Sequence, residues 1–239
     1  MDNESRPVTK ASLELGVLLA IAGGFQDAYS YIGLGGVFAN AQTGNVVLLG
    51  VEAARQQWAA AVRHVPSLLA FVVGVMVAET LSRPRVAGAL RYPARFALML
   101  EIIVLGVVGL PPRGVPDSLI VAMIAFTASV QVTTFRTLII WPYNTTMLTG
   151  NLRTAAQAAY QAVADRDAEA MRKARSFLII IGSFTVGAFA GGWLTLHLGG
   201  HAIWISAGVL IVALGLFLFE EHRGLWRERI RRGLRRHGR

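Results

Sequence analysis

Four charged residues inside long apolar runs have the greatest potential for chemistry in this 239-residue sequence: Asp27, Glu79, Glu101 and Arg136. A charge is costly to bury unless it is paired, hydrogen-bonded or neutralised. Asp27 has no acidic or basic neighbour within one helical turn, so apolar surroundings favour its neutral form. We therefore expect Asp27 to carry a proton or bind a cation. The alternative is a hydrogen-bonded acid that serves packing alone.

The other three charges fall at a similar depth in their runs when residues are counted at about 1.5 Å each along a helix. Asp27 falls about 20 Å from Arg136 by the same count, which excludes a pair between them. We expect Arg136 to form an ion pair with a buried carboxylate, Glu101 first and Glu79 second. A gate or a substrate site is the alternative for this trio.

The tripeptide Thr-Gly-Asn occurs twice, as Thr43-Gly44-Asn45 and as Thr149-Gly150-Asn151. Each copy follows a long apolar run and precedes a helix-forming stretch, which predicts two similar helix starts. Thr and Asn side chains cap helices by accepting hydrogen bonds from free backbone N–H groups. A helix start also attracts an anion or a polar ligand. Capping alone and contact with a ligand both remain open.

Further polar side chains lie close to these motifs in the sequence and could contact a small polar solute or an ion. They are Gln26, Asn40, Gln131 and Thr134. Hydroxyl groups in apolar helices often bond only to the carbonyls of their own helix, which is the alternative for Thr134.

The composition excludes an ordinary soluble enzyme, because 54% of the residues are hydrophobic and 15% are charged, with a mean hydropathy of +0.51. Soluble domains carry about 25% charged residues. There is no cysteine and no hydrolase or zinc-protease motif, so we expect no enzyme activity, cofactor or metal. His197 and His201 lie four residues apart but have no nearby carboxylate.

Six apolar runs predict an all-α membrane protein with six transmembrane helices, because a span needs about 20 helical residues. All eight prolines lie at or outside the ends of these runs. The first run is rich in glycine, which indicates either close helix packing or an interrupted helix around residues 33–36. The runs are Leu13–Phe38, Val65–Leu81, Phe96–Leu110, Ser118–Ile140, Phe177–Leu198 and Ala202–Phe219.

The distribution of basic residues predicts the orientation. With the N-terminus inside, 19 of the 23 Lys and Arg residues fall on the inner side, which favours a cytoplasmic N-terminus and C-terminus in a bacterial inner membrane. The first run is too long for the apolar core of a signal peptide, so we expect it to be retained. Eight of the arginines lie between Arg223 and Arg239, where we expect binding to anionic lipid headgroups rather than to nucleic acid.

The repeated tripeptide and the equal number of runs in each half predict a 3+3 inverted repeat. The expected single membrane domain comprises residues 1–112 and 113–220, with a basic tail at 221–239. Inverted repeats are common in transporters, whose sites lie at the repeat interface. We therefore expect a transporter or permeation pathway for a small polar solute or ion, with proton coupling as one option. The alternative is a non-transporting membrane scaffold or assembly factor, and a homo-oligomer is left open.

Three further stretches have a distinctive sequence: Gly24-Phe25-Gln26-Asp27-Ala28-Tyr29-Ser30-Tyr31, Gly35-Gly36-Val37-Phe38-Ala39-Asn40 and Gln131-Val132-Thr133-Thr134-Phe135. With these stretches and the two Thr-Gly-Asn motifs, the sequence resembles the YoaK-type family over nearly its whole length. The resemblance implies a small, multi-spanning bacterial inner-membrane protein and supplies no activity, because the family has no known function. Gln42 departs from the pattern, where an apolar residue such as methionine is expected.

Overall fold

A computed structural model describes residues 10–83, 93–110, 114–143, 146 and 148–237, without the side chains of Lys10 and residues 223–237. The described chain is mostly helical. Its helices are α1 (Leu13–Gly33), α2 (Gln42–Ala54), α3 (Trp58–Val62), α4 (Val65–Leu81), α5 (Pro93–Val108), α6 (Asp117–Thr134), α7 (Leu148–Ala164), α8 (Ala168–Leu198) and α9 (Ile203–His237). The basic residues Arg6, Arg85, Arg91 and Arg113, the tail side chains and the proposed repeat boundary at residues 112 and 113 lie outside the described residues.

Three stretches of the described chain are long and apolar enough to cross a membrane: Trp58–Leu81, Asp117–Thr134 and Ala168–His222. The third contains both α8 and the start of α9, which meet at a short 3-10 turn, Gly199–Ala202. Each of the six apolar runs overlaps one helix; in chain order these are α1, α4, α5, α6, α8 and α9. The prediction of a helical membrane protein is therefore confirmed.

The helix starts follow from local sequence. Ser12 caps α1, since its hydroxyl accepts a hydrogen bond from the Leu15 N–H at 3.2 Å. Asp167 caps α8 by accepting from the Glu169 N–H at 2.7 Å. Pro66 occupies the first turn of α4, where its missing N–H costs no hydrogen bond.

The first apolar run is interrupted where its glycines fall. Helix α1 ends at Gly33, and Gly35 and Gly36 adopt φ values of +77° and +81°, which L side chains rarely adopt. The chain then turns back beside α1 before α2 begins at Gln42. Of the two explanations for these glycines, interruption applies to Gly35 and Gly36.

The fourth run is interrupted as well. Helix α6 ends at Thr134, and strands β2 (Thr137–Leu138) and β3 (Trp141–Pro142) form a hairpin. Strand β1 (Lys10–Ala11) pairs with β2 in parallel, and the Ile139 N–H donates to the Ala11 carbonyl at 2.8 Å. The all-α prediction therefore misses a small three-stranded sheet, which forms because backbone groups beyond the end of α6 need partners.

Close helix packing accounts for other glycines. Helix α1 packs mainly along α8. A Cβ added at Gly24 would lie 2.1 Å from the Phe184 carbonyl oxygen, and one at Gly187 would lie 2.1 Å from the Ile21 carbonyl oxygen. Gly191 faces the backbone of Phe25 in the same way. The two backbones touch because these positions lack side chains.

A second helix pair is built in a similar way. Helix α4 packs mainly along α6, and a Cβ at Gly74 would lie 2.5 Å from the Phe126 carbonyl oxygen. Helix α5 packs against α6 and α9, while α9 also contacts α1, and α7 lies along α8. The principal apolar core joins residues of α1, α5, α6, α8 and α9, including Phe25, Leu98, Ile124, Phe177 and Leu210.

Candidate functional site

The first Thr-Gly-Asn motif lies within the first turn of α2 rather than before it. Asn45 is fully buried, and its Oδ1 accepts from the Phe38 N–H at 2.9 Å while its Nδ2 donates to the Phe38 carbonyl at 2.7 Å. Thr43 is exposed. Gly44 lies so close to the Phe38 ring that an added Cβ would be 3.0 Å away. The motif thus holds the chain that returns from α1.

A polar network extends from Asn45 to the start of α4. The Asn45 carboxamide lies 3.2 Å from Nδ1 of buried His64, whose Nε2 lies 3.2 Å from a Glu52 carboxylate oxygen. Ser67 donates to the Phe38 carbonyl at 3.0 Å, and Gln42 donates to Ser67 at 3.2 Å. Gln42, the departure from the family pattern, therefore takes part in this network.

Asp27 supports the returning chain from the other side. Its Oδ1 accepts from the backbone N–H groups of Asn40 at 2.6 Å and Ala41 at 3.3 Å, immediately before α2. A carboxylate at a helix start is favourable because of the positive end of the helix dipole. These contacts correspond to the hydrogen-bonded, structural alternative for Asp27.

The segment between α1 and α2 runs back along α1 and is held there by successive hydrogen bonds. The Ala39 N–H donates to Ser30 Oγ at 3.0 Å, and the Asn40 carboxamide donates to the Gly23 carbonyl at 3.2 Å. Asn40 Oδ1 is buried and has no hydrogen-bond partner among the described residues. It is an acceptor that a solute or water molecule could use.

The second Thr-Gly-Asn motif also lies within a first helical turn, that of α7. Asn151 is buried, whereas Thr149 and Gly150 are exposed, the same pattern as Asn45 and Thr43 in the first copy. Just before α7, buried Thr146 lies against α1, where a Cβ at Gly23 would be 2.9 Å from its methyl group. Asn40 and Thr146 therefore reach Gly23 from the two interrupted segments.

A third group of polar residues lies inside the bundle. Glu101 of α5 is 1% exposed and accepts from Gln26 Nε2 of α1 at 2.7 Å through one oxygen. Its other oxygen accepts from Gln131 Nε2 of α6 at 2.7 Å. Gln26 Nε2 also lies 3.3 Å from the hydroxyl of Ser206 on α9. Four helices thus place polar side chains around one buried carboxylate.

The trio of Glu79, Glu101 and Arg136 pairs differently from the expectation. Arg136 donates to the Glu79 carboxylate, and both side chains are partly exposed. Glu101 lies away from this pair because Arg136 sits beyond the end of α6. The expected pair between Arg136 and Glu101 is therefore wrong, and Arg136 pairs with the second candidate, Glu79. A further ion pair joins Arg95 to Glu221 at 2.9 Å.

Thr134 contacts its own helix, since its hydroxyl donates to the Val130 carbonyl at 2.7 Å. This geometry corresponds to the back-bonding alternative. Sequence reasoning did not single out Ser206, Ser67 or His64. An alignment of the two halves of the sequence could have identified Ser206. The separation between Glu101 and Ser206 is 105 residues, the same as the separation between Gln26 and Gln131. Within the described ranges, no three His, Asp or Glu residues gather as a metal site would require.

Comparison with known proteins identifies a family. The family described as Protein of unknown function (DUF1275) matches residues 15–216. The UPF0700 transmembrane protein YoaK of Bacillus subtilis (strain 168) is 30% identical over 140 residues, which cover 56% of this chain and 61% of that protein. No solved structure matches. The chain is therefore a membrane protein that belongs to the DUF1275 family, as its resemblance to YoaK-type sequences indicated.

Proposed function

We propose that the protein is a transporter or permeation pathway for a small polar solute or ion, without enzyme activity. It would have six spans in an inverted 3+3 repeat and both termini in the cytoplasm of a bacterium. Anionic lipid would contact the basic tail. The observation that carries the proposal is the approach of two interrupted segments to one point on α1, Gly23, inside the helix bundle.

The helix packing supports an inverted repeat. If α1, α4 and α5 correspond to α6, α8 and α9, then the pair α1–α8 is equivalent to the pair α6–α4, and both pairs pack closely. In the same way, the contact of α1 with α9 is equivalent to the contact of α6 with α5. The contact between α5 and α9 would be equivalent to itself, so the proposed pseudo-two-fold axis would pass between those two helices.

Individual residues follow the same relation. Asn40 and Thr146 are separated by 106 residues, as are the two Thr-Gly-Asn motifs, so they occupy equivalent positions after the first and fourth runs. The bond from Gln131 to Glu101 corresponds to the contact between Gln26 and Ser206, with a separation of 105 residues in both cases. Transporters with inverted repeats commonly bind substrate where interrupted helices meet at the repeat interface.

Two features would favour a polar or charged solute. Asn40 Oδ1 offers a buried acceptor without a partner among the described residues. The starts of α2 and α7 each follow one of the interrupted runs, and the first N–H groups of a helix have no partner within that helix. This arrangement lets backbone and side-chain groups replace water around a solute without building a permanent opening.

The test is flux into proteoliposomes that contain the purified protein. Stopped-flow light scattering should detect entry of at least one of urea, glycerol, ammonium chloride or potassium chloride above the rate of protein-free vesicles. Asn40→Leu should abolish that flux, because it removes the buried acceptor. Thr43→Ala, an exposed change nearby, should preserve it.

Rates equal to those of protein-free vesicles for all four solutes would contradict the proposal and favour a scaffold role. So would unchanged flux in a folded Asn40→Leu protein. The proposed threading has a separate test, because the chain has no cysteine of its own. A cysteine at Gln57 should react with an impermeant thiol reagent from the periplasmic side, and one at Asp167 should not.

A further inference from the structure

The buried carboxylate of Glu101 has no cationic partner among the described side chains. It accepts two hydrogen bonds from neutral carboxamides, those of Gln26 and Gln131, and makes no ion pair within the described part of the chain. An uncompensated charge inside a membrane bundle is costly. Glu101 lies eight residues into α5, about 12 Å along its axis, so simple exposure at the helix end does not offset that cost.

The charged groups on the helices around Glu101 are engaged elsewhere or lie near helix ends. On α5 itself, Arg95 pairs with Glu221 of α9. On α1, Asp27 accepts from the backbone before α2, and Glu14 lies in the first turn. The other titratable groups on these helices whose side chains the structure describes are Asp117 in the first turn of α6, Tyr29 and Tyr31 of α1, and Glu220 and His222 of α9; Tyr29 donates to the Gly200 carbonyl.

The Gln26 carboxamide can serve two states of the glutamate. In the observed state its Nε2 donates to Glu101, while its Oε1 is buried with no partner among the described residues. A buried acceptor without a partner needs an explanation. Rotation of the carboxamide by half a turn would bring this Oε1 to Glu101, where it could accept a hydrogen bond from a protonated carboxyl group.

We propose that Glu101 is a reversible proton-binding residue and that Gln26 is the positioning residue that changes orientation with it. A proton from water binds Glu101 Oε1, and the resulting O–H donates to Gln26 Oε1. Release of the proton to water restores the observed hydrogen bonds. No electron is transferred and no other bond breaks. This inference rests on the proposed function, in which proton binding by Glu101 would couple proton movement to transport. It assigns to Glu101 the proton-carrying role that the sequence suggested for Asp27.

The experiment is infrared difference spectroscopy of the purified protein in lipid nanodiscs during a pH titration. Wild type should show one protonated-carboxyl C=O band that grows as pH falls, and ¹³C-labelled glutamate should shift it. Glu101→Gln should remove the band, whereas Asp27→Asn should keep it. Gln26→Leu should retain the band at a higher frequency, because the acid loses its hydrogen-bond partner.

Three results would overturn the proposal: no titrating band in wild type, a band that ¹³C-glutamate leaves unshifted, or the same band in Glu101→Gln. The isotope test needs no mutation, so a band that ¹³C-glutamate leaves unshifted refutes the role of Glu101 even if Glu101→Gln does not fold. The titration needs no solute gradient, so the absence of the band refutes the role of Glu101 and leaves transport untouched. The absence of flux into vesicles refutes transport and leaves proton binding by Glu101 untouched.

Discussion

Two glycines on one helix should respond in opposite ways to the same change. Gly187 of α8 faces the α1 backbone, where an added Cβ would lie 2.1 Å from the Ile21 carbonyl oxygen. Ordinary contact begins at about 3.4 Å, so Gly187→Ala requires a shift of about 1.3 Å. A backbone carbonyl cannot rotate away as a flexible side chain can, so the two helices must separate.

The expected cost of that separation is about 1–3 kcal/mol, the usual range for overpacking. For a chain of this size the melting temperature should fall by roughly 2–12 °C. Gly182 is the matched control, since a Cβ there meets no described atom within 4 Å. Gly182→Ala should leave the melting temperature unchanged or raise it, because alanine favours a helix over glycine by up to about 1 kcal/mol.

The assay is thermal unfolding in detergent, followed by tryptophan fluorescence, with size-exclusion chromatography to verify a single species before heating. Equal melting temperatures for Gly187→Ala and Gly182→Ala would refute the close contact between α1 and α8. An increase for Gly187→Ala would refute it as well, since helix propensity would then be the only effect present.

Three further predictions use the same unfolding assay. Asn45→Ala should cost about 1–3 kcal/mol, because it removes the acceptor of the Phe38 N–H and one of the two donors to the Phe38 carbonyl, whereas exposed Thr43→Ala should change stability by less than about 0.5 kcal/mol; equal effects would contradict the role of Asn45. Arg136→Ala should cost only about 0.2–1 kcal/mol, since Arg136 and Glu79 are 50% and 35% exposed, and a double-mutant coupling with Glu79→Gln above that range would show a stronger pair. Asp27→Asn should fold with little loss because the amide oxygen can still accept from the chain before α2, whereas Asp27→Ala should cost about 1–3 kcal/mol; equal losses would exclude this acceptor role.

The sequence predicts the helical membrane class because hydropathy, proline positions and run lengths all reflect one constraint, the satisfaction of backbone hydrogen bonds in lipid. It offers an interruption around residues 33–36 as one of two explanations for the glycines, and the positive φ values of Gly35 and Gly36 decide between them. It misses the hairpin after Thr134, because two-residue strands leave no periodic pattern.

The candidate site was harder to predict, because it depends on which helices become neighbours. Counting residues along straight helices brought Glu101 to the depth of Arg136, but depth says nothing about direction around the bundle. Glu101 faces Gln26 and Gln131 instead, while Arg136 lies beyond its helix. The Thr-Gly-Asn motif was correctly placed near a helix start. Its buried Asn45 binds the preceding chain rather than capping that helix, a contact between residues seven apart.

The pairing of α1 with α8 also determines the order in which the protein can assemble. About 160 residues separate Gly24 from Ala188, and synthesis at about 5–20 residues per second makes the wait roughly 8–32 s. Until α8 emerges, the glycine-lined side of α1 has no backbone to pack against. A chain that stops after α7 would therefore lack the surface against which its first helix packs.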